Sequence, residues 1–214
     1  MTSTESGSFL LLNYMKTEAS RIGDVSRIVA QPRATDARFG RRIYQHLAGD
    51  RLLELIDLPA LGAFGEVFAD EGWQSAEGFV RPHLVADFRR QILQRRSVVK
   101  QAAAPSAAAK PHPLHLHLGR MEIAPRSLGA YRVWEQEHLW PQLRARSTVE
   151  TVCAYHSAVS TEPGALFLAW FSSSPQQYKA ELEDAQHQAL MKHAGDQFVL
   201  GGAAAIATSL WTPI

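Results

Sequence analysis

Two histidines one residue apart, His115 and His117, stand in the stretch PHPLHLHLGRMEI (111–123). If that stretch is a strand, period two puts them on one face with Gly119, Met121 and Ile123, and puts Leu114, Leu116 and Leu118 on the other. The histidine face ends apolar, so it reads as buried, and buried imidazoles need partners. Three readings fit: a hydrogen-bonded core pair, a cavity wall, or two ligands of a metal. The metal reading needs a third ligand, for which His156 or Glu122 are the candidates, and neither has diagnostic spacing; no metal is assigned. A neutral-range pKa suits a histidine here to act as a general base.

Further candidates lie downstream. Tyr155 and His156 are neighbours on a second strand and so face opposite ways; each is flanked by small residues that leave room for a pocket. On a helix over 175–195, a turn of about 100° per residue places His193 on the stripe of Tyr178, Leu182, Ala185 and Ala189. The same wheel turns His187 to solvent. A buried His193 would be either a satisfied helix-end histidine or an axial haem ligand. Trp73 and His83 fall in a helix region interrupted at Gly72 to Gly78, which reads as an ordinary loop or as a lid at a substrate entrance.

What positions these residues is a duplicated layout. The segment QAAAPSAAAKPHP (101–113) has little to bury and reads as a linker. Before it, 8–17 reads as a strand, 18–31 as a helix, RRIYQHLAGD and RLLELIDL as a hairpin around Gly49-Asp50, LGAFGEVFADEG with VRPHLVADFRRQIL as a broken helix, and SVVKQA as a closing strand. After it come a strand (114–123), a helix with Ser127 at its N-cap, strands VETVCAYHSAV and GALFLAWFS around Thr161–Gly164, a helix begun by Ser174-Pro175 and ended by Gly195, and the strand AAAIATSLW. Both halves read β-α-β-β-α-β. The fold class expected is therefore α+β: two tandem ferredoxin-like domains, 8–103 and 114–212, forming an α+β barrel, with the main site in the second. The first half has Gln45 and Phe64 where the second has Tyr155 and Tyr178, so it is the less equipped.

Composition excludes several classes. The 214 residues are 46% hydrophobic and 20% charged with a net charge of +1, which gives no electrostatic case for nucleic acid or an anionic membrane. One cysteine allows no internal disulfide and fits a reducing cytoplasm. The opening MTSTESGSFLLL is too short in apolar residues for a signal peptide or a span, so a cytoplasmic protein is expected. There is no GxGxxG, P-loop, HExxH or GxSxG pattern.

The stretch AYHSAVSTEPGALFLAWFSSSPQQYKA (154–180) has Tyr-His ending a strand, a glycine turn, an apolar strand with an aromatic, and a helix opening on Gln-X-Tyr. With the duplicated layout, it resembles the dimeric α+β-barrel superfamily as a fused tandem. It is similar in particular to the small antibiotic-biosynthesis monooxygenases and, in size and layout, to the polyketide oxygenases that open angucycline rings. The resemblance implies a tailoring oxygenase acting on a polycyclic phenol or quinone, by oxidative ring opening in one form, with Tyr155 and Tyr178 lining the cavity. Positions where the family tends to carry Asn and Trp hold Leu168 and Ser172, with Trp170 nearby. The expected site is then His115, His117, Tyr155 and Tyr178 as catalytic groups, with Trp170, Leu168, Trp73, His83 and His193 around the substrate. Expected helpers are O2 with reduced flavin (FAD or FMN) as cosubstrate and a flavin reductase as partner, or no cofactor at all. The alternatives are a cyclase or isomerase of the same fold, a haem or metal-binding tandem protein, and a non-catalytic binding protein. A homodimer and a self-sufficient monomer are both compatible.

Overall fold

The computed structural model describes residues 9–102, 114–159 and 164–214. Most of the expected linker (103–113) and most of the expected turn (161–163) lie outside them. The chain divides into two compact units. Unit 1 runs to Arg95 and adds 158–160 and 212–214; unit 2 takes 96–157 and 161–211. Among the described residues no helix is long and apolar enough to cross a membrane.

Unit 1 has strands β1 (Phe9–Lys16), β2 (Arg41–His46), β3 (Arg51–Leu58) and the start of β4 (Arg89–Lys100), with helices α1 (Ile22–Val29), α2 (Phe64–Ala69) and α3 (Glu71–Val80). β1 pairs antiparallel with β3 and β4, and β3 with β2, giving the order β4-β1-β3-β2. The β2–β3 hairpin turns through Gly49 at φ 79°, a left-handed conformation that glycine adopts without a Cβ clash. The helices bury one apolar face each: Val25 and Val29 of α1, Val67 of α2, Trp73 and Val80 of α3.

Two expectations for unit 1 are corrected. The Gly72–Gly78 region is helix α3, because Asp70 caps it by accepting the Trp73 N–H at 2.8 Å and Trp73 anchors it in the core. Trp73 is therefore 3% exposed, under the Arg33 guanidinium at 4.6 Å, and is a core residue of unit 1 instead of a lid. His83 sits half-buried on the 3-10 turn after α3. The segment FRRQIL is also strand, not helix: Arg89 to Gln94 pair residue by residue with β1, and ladder pairing overrides a helical spacing of apolar residues.

Unit 2 has β5 (His115–Met121), β6 (Val149–Val159), β7 (Ala165–Phe171) and β8 (Ala207–Pro213), whose last residues fall in unit 1. The order is again 4-1-3-2, here β8-β5-β7-β6. Its helices are α4 (Leu128–Trp134), α5 (Trp140–Ala145), α6 (Pro175–Leu182) and α7 (Ala185–Phe198). A π-turn, Glu135–Leu139, joins α4 to α5, with the Trp140 N–H bonded to the Glu135 carbonyl just ahead of Pro141. The expected cap at Ser174 is present as a capping box with Gln177, and Pro175 opens α6. Ser127 precedes α4 without a side-chain cap bond. Gly195 does not end the last helix, which continues to Phe198.

The helix-facing side of this sheet carries Met121 of β5, Val152 and Ala154 of β6, and Phe167, Ala169 and Phe171 of β7, packed on Tyr131, Trp134, Trp140, Leu143, Tyr178 and Ala194. Gly119 is part of that fit. A Cβ there would stand 2.2 Å from the Phe167 ring on the paired strand. Gly119→Ala is expected to lower stability by roughly 1–3 kcal/mol through overpacking, read as a lowered urea midpoint; an unchanged midpoint would show that the ring moves away freely.

Candidate active site

Residues of alternating strands and one helix enclose a cavity of about 330 Å³ in unit 2. Its walls are Ile123, Leu128, Tyr131, Tyr155, Gly164 and Ala165, with Arg96, Glu122, Arg132, His156 and Ser157 as polar groups. The register explains the place. His156 pairs with Ala165, which pairs with Met121, so the cavity lies at one end of the sheet, under the start of α4. Period two along β6 carries the helix-facing side from Val152 and Ala154 to His156.

A buried ion pair backs the cavity. Glu135, 1% exposed, accepts two hydrogen bonds from Arg96 Nη2 at 2.8 and 2.7 Å and one from the Tyr131 hydroxyl at 3.0 Å. Burial raises the Glu135 pKa, opposed by Arg96 and Tyr131; burial and the adjacent carboxylate push the Tyr131 hydroxyl well above its ordinary range. Burial also lowers the His156 pKa, helped by the charges of Arg96 and Arg132. His156 is therefore neutral at neutral pH and able to accept a proton. Its Nδ1 and the Ser157 Oγ are buried and have no hydrogen-bond partner. Orphaned polar atoms beside an open volume are what a polar ligand would satisfy.

The expected residues do not gather in this cavity. Tyr155 and His156 both line it, although strand alternation allowed only one. His117 and Tyr178 do meet, Nδ1 to Oη 3.1 Å, but at the other end of the same sheet face. Tyr178 stacks on Phe171 at 4.0 Å, Phe171 stacks on His115, and Phe167 meets His117 edge-on. His117 is completely buried there, and burial, with His187 and Arg146 nearby, lowers its pKa to about 3. Leu168 and Trp170 are buried but lie outside the helix-facing cluster that holds Phe167, Ala169 and Phe171, on the opposite sheet face.

The last-helix reading is overturned on both histidines. His187 is 4% exposed with Nδ1 2.7 Å from Gln142, whereas His193 is exposed and stacks on Trp134. The cause is a break: α6 ends at Leu182, and Asp184 caps a new helix, α7, so one helical wheel cannot be carried from Tyr178 to His193. Arg96, Tyr131, Arg132 and Glu135 escaped the sequence reading. The legible signal was a carboxylate, Glu135, inside the apolar stripe Tyr131, Trp134, Leu139.

No protein-family model matches the sequence, and no curated protein does. Solved structures do match over the whole chain. An anthrone oxidase-like protein has TM-score 0.69 at 11% identity, covering 100% of this chain and 94% of its own. A proposed monooxygenase from Lactobacillus acidophilus has TM-score 0.65 at 8% identity, covering 97% and 94%. At these identities the likeness is one of fold alone. A haem-binding protein from Thermus thermophilus has TM-score 0.52 at 11% identity, covering 97% and 92%.

Haem needs an axial side chain aimed into an apolar slot. His193, the expected ligand, is exposed against Trp134 and so does not fit a haem. Nor do the described residues bring together three His, Cys, Asp or Glu side chains that could hold a metal ion, so the His115–His117 pair has no third ligand.

Proposed function

We propose that the chain is an oxygenase of small, planar phenols, of the anthrone or related polycyclic type, and that the chemistry takes place in the cavity of unit 2. The observation that carries the reading is a volume of about 330 Å³ bounded by apolar side chains and by a neutral, unpartnered His156. Clefts of this size and mixed lining hold ring-sized ligands. In this reading the aromatic lies against Tyr131, Ile123 and Leu128, and its acidic O–H or C–H faces His156. His156 takes the proton, and the exposed Arg132 favours the anion that remains. The anion is the better electron donor to O2. For an anthrone, the methylene is oxidised to a carbonyl, one oxygen atom of O2 enters the product and the other leaves as water, so no external reductant is required. The oxidase-like and monooxygenase-like neighbours support the reading by their shared fold. Polyketide tailoring and ring opening remain the finer form of this proposal.

The test is oxygen uptake with anthrone as probe, without added cofactor. Anthraquinone formed with equimolar O2 consumption, faster than the spontaneous reaction, is the expected result. Turnover without oxygen consumption would make the chain an isomerase or cyclase. A strict requirement for reduced flavin would move the oxygen chemistry to that cosubstrate.

A further inference from the structure

Glu135 touches the cavity only through other residues. It does not line the volume, yet two residues that do, Arg96 and Tyr131, are both fixed by its carboxylate. It also begins the π-turn, a helix irregularity that recurs at functional sites. A buried ion pair adds little stability over well-packed apolar side chains, so packing alone does not account for the arrangement. Its electrical effect is direct. With Glu135 ionised, the Arg96 charge at the wall is cancelled within 3 Å, and Arg132, which is exposed, keeps its own.

We infer that Glu135 is a positioning residue of the cavity: it holds Arg96 and the Tyr131 hydroxyl at the wall, cancels the arginine's charge, and so makes the cavity receive its ligand as the neutral phenol. The inference rests on the reading of this cavity as the ligand site. Ionisation is then left to His156 once the ligand is seated, instead of occurring on entry. The charged and titratable groups that line the cavity with His156 are Arg96 from β4, Tyr131 and Arg132 from α4, Glu122 after β5, and its own neighbour Tyr155, with Glu135 behind Arg96 and Tyr131.

The experiment follows the His156 imidazole by NMR titration in the native protein, Glu135→Gln, Glu135→Asp and the Glu135→Gln/Arg96→Gln pair. Glu135→Gln keeps the shape and exposes the Arg96 charge, so His156 is expected to titrate lower by about half a unit or more. Glu135→Asp keeps the charge and is expected to stay near the native value. The double variant is expected to return to the native value or above it. In parallel, 2-naphtholate is expected to bind Glu135→Gln several-fold more tightly than the native protein, up to about tenfold. An unchanged His156 in Glu135→Gln, or a lowering that persists in the double variant, would overturn the inference. Should Glu135→Gln not fold, the native-like double variant set against Glu135→Asp decides it: a His156 lower in the double variant contradicts it. Absence of naphthol binding in every variant, with His156 moving as described, would instead remove the ligand reading.

Discussion

Replacing His156 with Gln is expected to reduce anthrone-dependent oxygen uptake by about 10²-fold or more while leaving 2-naphthol binding within a few-fold. Glutamine keeps the volume and a hydrogen-bonding end but cannot take a proton. Among the described residues His156 is the one imidazole in the cavity wall, and its Nδ1 has no partner among them. Its pH dependence has a definite sign. Burial and the charges of Arg96 and Arg132 lower its pKa from the ordinary 6.5. The base is active when neutral, so kcat/KM should be flat around pH 7 and fall only on acidification below that ordinary value. Native-level uptake in His156→Gln would transfer the base role elsewhere, with Tyr155 and Ser157 the neighbouring groups.

The second large effect concerns stability. His117 is neutral in the folded chain, its pKa lowered to about 3 by burial. In the unfolded chain it titrates near 6.5. Between those values the unfolded chain binds a proton that the folded chain refuses, so stability is fully present above pH 6.5 and is lost as pH falls toward 3. The slope is about 1.4 kcal/mol per pH unit for one such group. His187, lowered to about 4 by burial, works in the same direction. Urea midpoints at pH 7 and pH 5 should therefore differ by a few kcal/mol in unfolding free energy. In His117→Gln, which keeps a polar contact for the Tyr178 hydroxyl, the difference should shrink by about half. An equal pH dependence in the variant would mean that His117 does not resist protonation in the fold.

The two histidines of the opening motif thus changed meaning once the other elements were in place. Strand alternation correctly placed His115 and His117 on one face and correctly implied that the face is covered. It could not say by what: Tyr178, 61 residues later, supplies the partner, and the contact fills the space that a ligand would need. The duplicated β-α-β-β-α-β order was legible because each strand and helix carries its own period and its own punctuation, such as Ser174-Pro175 and Gly49. What stayed illegible depends on tertiary choices. FRRQIL became strand because β1 offers it a ladder, and the last helix changed phase because Asp184 caps a second segment. The cavity was missed for a related reason. Arg96 and Glu135 are 39 residues apart, and nothing in either neighbourhood announces the other.

The claim on which the rest depends is that the open volume beside His156, and not the packed His117–Tyr178 end of the sheet, takes the ligand. Histidine-selective NMR during addition of 2-naphthol measures this directly. The His156 resonances are expected to shift with saturation while those of His117 stay in place. Shifts at His117 with His156 unmoved would contradict it.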